Sequence, residues 1–194
     1  MSSSSGGPNG EKLASGLEGA KKEADASPTG GNAVSQTTEQ CPKCDCCGED
    51  AHSKGQSITE DQFYGLEPVT CANGTVVPAD PPNAQSYIRN LRAQCPGQFS
   101  QPPCNNYFIA TADEKHAILR TWKGNKGGEA RAAIGAADGE DVSHRVPKAA
   151  GGCPVGKGNL TKSSDLSAEC QKAEGTLANR QGKRATLLRA GAGV

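Results

Sequence analysis

His144 stands near the end of the stretch Asp141-Val-Ser-His-Arg-Val-Pro147, and Asn159 follows fifteen residues later in Gly158-Asn-Leu160. An imidazole titrates near neutrality and can take a proton from an attacking water. A side-chain amide that closes a loop can hold the backbone that aims such a histidine. Carboxylates at Asp141, Asp165 and Glu169 offer oxygen donors to a divalent cation, which would neutralise charge on a phosphate and on its leaving oxygen. The lysines and arginines that follow can hold a phosphate backbone. Taken together, these residue types point to metal-assisted cleavage of a phosphodiester.

The elements that must position these groups can be read from the same stretch. Pro147 stops a short strand over 141–147, so His144 lies near a strand end facing a Gly151-Gly152 turn. The chain returns through Cys153-Pro154-Val155 and bends at Gly156-Lys-Gly158. Ser163 or Ser164 then caps a helix in which Leu166, Cys170, Ala173 and Leu177 share one face. A hairpin followed by a helix is the expected outline. Upstream, Asp113 to Trp122 predicts a helix opened by acids, with Trp122 anchoring a small core and His116 on the surface; it stops at Lys123-Gly-Asn-Lys-Gly-Gly128. Ser86 to Gln94 predicts another helix, Thr75-Val-Val77 a short strand, and Tyr107-Phe-Ile-Ala110 a short apolar run.

The segment His144-Arg-Val-Pro147-Lys148-Ala-Ala-Gly151-Gly152, followed by Gly158-Asn159-Leu160, resembles the HNH/endonuclease VII superfamily of ββα-metal nucleases. The likeness is closest to nuclease domains at the C-termini of bacterial polymorphic and type VI secretion toxins. It spans about 40 residues, and its Pro-Lys and Gly-Gly elements are more specific than the His-to-Asn spacing alone. It implies an α+β fold with a small ββα-metal (His-Me finger) module. It further implies His144 as general base and Asn159 as the residue holding the loop, with Arg145 grouped beside them. A divalent ion (Mg²⁺, Mn²⁺ or Zn²⁺), DNA as substrate with RNA left open, and a cognate immunity protein as partner follow from the same likeness. Two positions depart from the pattern. Ser143 stands where the family often has a His or Asp ligand, with Asp141 three residues before the base as in DRGH-type members. No His follows Asn159, so Asp165, Glu169 or Asn179 would supply the remaining ligand, Glu169 by preference.

The formal charge of zero comes from 21 basic and 21 acidic residues, and it conceals an asymmetry. From His144 onward there are nine Lys or Arg against three acids, which is +6 and leaves −6 for residues 1–143. A basic C-terminal part suits a polyanion, with Lys148, Lys157, Lys162, Lys172, Arg180, Lys183 and Arg184 as the contacts to nucleic acid. Only 34% of residues are hydrophobic and 4% aromatic, too few to fill a core along the whole length. The expected organisation is a disordered tail or linker over 1–40, carrying at most a frayed helix, then an irregular cysteine-rich segment over 41–112. The nuclease-like module occupies 113–194. No apolar run is long enough to span a membrane. The N-terminus lacks the basic start and apolar stretch of a secretory signal, which fits a chain cytoplasmic in the producing cell; the toxin likeness implies delivery by a secretion system, and a monomer is expected.

Nine cysteines allow two frameworks. Cys41, Cys44, Cys46, Cys47 and His52 have the spacing of a structural Zn²⁺ site. Alternatively these cysteines pair with Cys71, Cys95 and Cys104 as disulfides, and Cys153 bridges to Cys170 unless Cys170 is a small core residue. The alternative function is a non-catalytic, cysteine-held interaction module with a basic nucleic-acid-binding end.

Overall fold

The computed structural model describes residues 55–100 and 107–194. The proposed tail over 1–40, the zinc set Cys41, Cys44, Cys46, Cys47 and His52, and Cys104 lie outside the described residues. The described part is α+β: helices combine with three two-stranded antiparallel sheets. In chain order the elements are β1 Gln56–Ile58, α1 Glu60–Phe63, β2 Val69–Thr70, β3 Val76–Val77, α2 Pro82–Gln94 and β4 Tyr107–Ile109. They continue with α3 Ala112–Lys123, α4 Asn125–Ala133, β5 Val142–His144, β6 Leu160–Lys162 and α5 Ala168–Ala192. β1 pairs with β4, β2 with β3, and β5 with β6. No described helix is long and apolar enough to cross a membrane.

Local chemistry sets the ends of these elements. α3 opens with a capping box in which Thr111 accepts from the Glu114 amide and the Glu114 carboxylate accepts from the Thr111 amide. Asp113 and Glu114 in its first turn, and Arg120 and Lys123 in its last, match the helix dipole. Gly124 ends α3 as expected, but α4 starts at once and the predicted stop lasts a single residue. α5 is capped by Ser167, whose hydroxyl accepts from the Cys170 amide. Ser163 and Ser164 instead form a 3₁₀ turn before it, because the Ser164 amide donates to Glu140 and the Ser163 carbonyl accepts from Gln171.

The core cluster draws on residues from Ile58 to Leu188, with none from α3 or α4. Phe63, Tyr64, Phe99 and Tyr107 form an aromatic nest with ring centroids 5.2–6.1 Å apart. Ile88 and Leu91 of α2 and Val69 and Val77 of the small hairpin pack with it, and α5 adds Cys170, Leu177, Ala185 and Leu188. The face predicted on α5 is therefore the buried one. Residues on either side of position 112 share this cluster.

A disulfide joins Cys95 at the end of α2 to Cys170 in the first turn of α5. This corrects the expected bridge between Cys153 and Cys170, which the fold prevents by seating the first turn of α5 on α2. Cys153 is itself disulfide-bonded, and Cys71 is a buried free thiol rather than a member of the framework. Next to the bridge, the buried Gln98 amide donates to the Cys170 carbonyl and the Thr161 hydroxyl to the Gly97 carbonyl. The α2 terminus, β6 and α5 are thus fastened at one point.

Candidate active site

β5 and β6 form a short hairpin with His144 opposite Leu160, and the long connection between them folds back over the strand ends. Asn159 holds that connection. Its Oδ1 accepts from the Val146 amide at 2.7 Å, while its Nδ2 donates to the Val146 carbonyl at 3.0 Å and the Cys153 carbonyl at 2.8 Å. One side chain therefore fixes both sides of the loop. The paired glycines have separate reasons. Gly151 takes a positive φ of 80° against Phe108. At Gly152 any Cβ would collide with the Val146 carbonyl, and its amide donates to Pro147.

The loop delivers a carbonyl to the histidine. His144 is buried, and its Nε2 lies 3.1 Å from the Pro154 carbonyl, so Nε2 carries the hydrogen and Nδ1 keeps the lone pair. The Lys148 ammonium donates to that Nδ1 at 3.0 Å. Burial, then the positive charge of Lys148, hold His144 down to about 3, so the ring is neutral at physiological pH; Arg131 adds to this and the Pro154 carbonyl opposes it. Lys148 is lowered to about 8 by burial and by Arg131, with Glu174 opposing. Trp122 is half-buried and meets the His144 ring edge to face at 4.6 Å, while Arg131 and Lys148 lie over its indole at 4.6 and 4.9 Å. Expected as a core anchor, Trp122 is a wall of the histidine pocket instead. The cause is α4, which folds back on α3 and places Arg131 against the indole.

These groups open onto a cleft of ≈ 340 Å³ between α3, β5 with the turn after it, and α5. Ser143, His144 and Lys148 line one side, Lys115 and Leu119 another, and Glu174, Leu177, Ala178, Gln181 and Gly182 the α5 side. The α5 residues recur at helical spacing, so this stripe faces the cleft continuously. Glu169 precedes Glu174 by five residues, about 140° round the helix, and is exposed away from the stripe.

The predicted residues separate accordingly. His144, Lys148 and Asn159 come together with the geometry described. Arg145 is tied to β6, its Nε donating to Thr161 and its amide to the Asn159 carbonyl. Asp141, Asp165 and Glu169 are exposed, and Lys162 pairs with Asp165 at 3.6 Å. Among the described residues no three His, Cys, Asp or Glu side chains stand together to hold a metal ion. The acids named for the catalytic ion thus do not form a donor set around His144. Of the bases assigned to nucleic acid, Lys157, Lys172 and Lys183 are exposed. Arg184 is buried and donates to the Pro78 and Gln62 carbonyls and to Asp80, and Arg180 pairs with Asp80 at 3.5 Å; both serve the fold. Glu174, Arg131 and Lys115 were not anticipated. Only Glu174 left a trace in the sequence, at i+4 from Cys170 on the edge of the predicted apolar face.

No protein-family model, curated protein or solved structure matches this chain. The reading of the cleft therefore rests on its own chemistry: a neutral imidazole with one nitrogen anchored and the other turned to an ammonium, in a largely apolar cleft that also holds Lys115 and Glu174.

Proposed function

We propose that the chain cleaves phosphodiester bonds of nucleic acid in this cleft, with His144 Nδ1 as proton acceptor. The observation that carries the reading is the pairing of the two ring nitrogens. Nε2 is committed to the Pro154 carbonyl, and Asn159 fixes the loop bearing that carbonyl, so the basic atom of this cleft-lining ring is Nδ1, which accepts from Lys148. The ring is neutral at physiological pH, and because burial and the Lys148 charge oppose its protonation, it takes a proton only when the negative charge of a bound phosphate offsets them. Lys148 supplies positive charge where a phosphate oxygen would lie, and Lys115 adds to it. Hairpin, looped Asn and following helix together support the ββα (His-Me finger) reading of this module. The same reading makes the chain a toxin effector whose immunity protein would cover the cleft and its lysines Lys115 and Lys148.

The test is direct. Purified full-length chain is incubated with plasmid DNA and with an RNA oligomer, in EDTA and in Mg²⁺, Mn²⁺ or Zn²⁺, beside His144→Ala. Cleavage that His144→Ala loses by at least about 100-fold is expected. Undiminished cleavage by the variant removes His144 from the chemistry. Salt-sensitive binding without cleavage under every condition would favour the non-catalytic interaction module instead.

A further inference from the structure

We propose that the cleft is a covalent binding site for a small apolar aldehyde, which the Lys148 amine captures as an imine while the body of the aldehyde lies on the apolar wall of the cleft. The inference goes beyond the phosphodiester reading: it uses Lys148 as a nucleophile, and its test reads a covalent bond instead of cleavage.

Three observations lead to it. First, the head of Lys148 rests against a neutral ring, an aromatic face and a second cation. Its Nζ lies 3.0 Å from His144 Nδ1 and 4.9 Å from the centre of the Trp122 ring, with the Arg131 guanidinium over the same indole at 4.6 Å. Burial and the Arg131 charge both disfavour the ammonium, and Glu174 from α5 only partly opposes them. Lys148 is thereby brought down to about 8, so near pH 7 its share of free amine is on the order of 100-fold that of a solvated lysine. A desolvated lysine beside another cation is the kind that attacks carbonyls, because its lone pair is free near neutrality. Second, the imidazole orients the amine. With Nε2 committed to the Pro154 carbonyl, Nδ1 can only accept, so it takes one N–H of Lys148 whether that group is ammonium or amine. The lone pair of the neutral amine therefore lies at a tetrahedral angle to that bond and is not occupied by the ring. Third, the space that Lys148 lines suits an apolar guest. Leu119, Val142, Ala149, Leu177 and Ala178 border a volume of ≈ 340 Å³, and its wall is open at Gly182, where a Cβ would meet nothing within 4 Å.

The step needs no co-reactant besides the aldehyde. Lys148 gives one proton to solvent, and the amine lone pair bonds to the aldehyde carbon as the carbonyl π pair moves to oxygen. That oxygen takes a proton from the nitrogen, giving a carbinolamine. The nitrogen lone pair then expels the hydroxyl, which leaves as water with the proton regained from solvent. Ammonium and aldehyde have become an iminium and one water. The iminium keeps one N–H, which can donate to His144 Nδ1 as the ammonium did, so the contact that holds the lysine also holds the adduct. Glu174 on the α5 side of the cleft supplies negative charge in either state.

The experiment uses full-length protein at pH 7 with 3-methylbutanal and sodium cyanoborohydride, which delivers hydride to the imine carbon and fixes the adduct as a secondary amine. Peptide mapping by mass spectrometry compares Lys148 with the exposed Lys157, Lys172 and Lys183 of the same sample. Lys148 should be modified at least about 10-fold faster than any of the three, and Lys148→Arg should remove this fast phase while leaving the others. Gly182→Leu keeps the amine and puts a side chain into the cleft, so it should bring the rate at Lys148 down towards that of the exposed lysines. The near-ultraviolet circular dichroism band of Trp122 checks that the pocket has formed in each variant. Should either fail to fold, the comparison among lysines of unaltered protein still decides. Lys148 modified no faster than the exposed lysines overturns the inference, as does an undiminished rate in folded Gly182→Leu protein. Both results leave the phosphodiester reading standing, since neither measures cleavage.

Discussion

Asn159 offers the most stringent check on the geometry, because its three hydrogen bonds all go to main chain and each has a definite direction. Asn159→Ala removes the bonds to the Val146 amide, the Val146 carbonyl and the Cys153 carbonyl. At about 1 kcal/mol each, with the Val146 amide left unsatisfied beside a buried side chain, the loss is about 3 kcal/mol. Asn159→Asp is the sharper perturbation. It keeps the shape and the acceptor for the Val146 amide, but it places a carboxylate oxygen about 3 Å from two carbonyl oxygens. Two bonds become two repulsions, so the isosteric variant should be at least as destabilised as the alanine one. Urea unfolding followed by the fluorescence of Trp122, the chain's sole tryptophan, reads this at the site itself. With an m-value of about 2 kcal/mol/M, the midpoint should fall by about 1.5 M. An Asn159→Asp protein within about 0.5 kcal/mol of wild type would refute the assignment of the amide and with it the loop that fixes His144.

Three further outcomes are expected. His144 at about 3 in the fold, against 6.5 when free, means that between these pH values the unfolded chain binds a proton that the folded chain does not; stability is therefore lost as pH falls from about 6.5 towards 3, by at most about 5 kcal/mol. The groups facing the ring are Lys148 on Nδ1, the Pro154 carbonyl on Nε2, Trp122 at its edge and Arg131 beyond, with Glu174 and Lys115 along the cleft, and urea curves at pH 4, 5 and 7 should be flatter for His144→Gln; parallel profiles would contradict the buried neutral ring. Replacing both Cys95 and Cys170 by Ala opens a closure spanning 75 residues and should cost about 4 kcal/mol, seen as a lower Tm, and a change under about 1 kcal/mol would mean that the bridge constrains little. Changing Lys157, Lys172 and Lys183 together to Gln should weaken nucleic-acid binding and flatten its salt dependence by about 2 to 3 in log–log slope, whereas Arg184→Gln should act on stability, and fluorescence anisotropy against salt with parallel urea curves separates the two.

The parts of the site legible in the sequence are those whose partners lie close along the chain. The β5–β6 hairpin, the glycine pair and the loop-closing Asn159 sit within about twenty residues, and their chemistry is local. The buried face of α5 was legible because helical spacing displays it without knowledge of what covers it. What the sequence concealed depends on contacts between distant segments. Trp122 looked like a core residue since a lone tryptophan in a chain poor in aromatics usually is one, and only the return of α4 turns it towards His144. The family likeness points to Glu169 as a ligand from its place on the helix, but the rotation of α5, set by Leu177, Ala185 and Leu188 in the core, leaves it exposed and turns Glu174 to the cleft. Cysteine pairing is invisible for the same reason: Cys170 meets Cys95 because α5 begins on the end of α2, a fact about packing that no spacing encodes.

The charge asymmetry changes meaning in the same way. Nine bases and three acids after His144 read as a surface for a polyanion, yet the fold uses several of these bases internally. Arg184 and Arg180 bind Asp80 from the acidic part of the chain, and Lys162 pairs with Asp165. A share of the opposite charges of the two parts is therefore spent holding them together, and the total overstates the charge presented to a ligand. Four of the remaining cations fall into two groups with different work. Lys157, Lys172 and Lys183 are exposed and would act on any phosphate backbone through long-range attraction that salt screens. Lys148 is partly desolvated against Trp122 and His144, so its charge acts at close range and is poorly screened. If the cleft cleaves a phosphodiester, raising the salt should weaken binding steeply while leaving the rate from the bound complex almost unchanged. A rate from saturated complex that fell in parallel with affinity would mean that Lys148 is as solvated as the lysines outside the cleft.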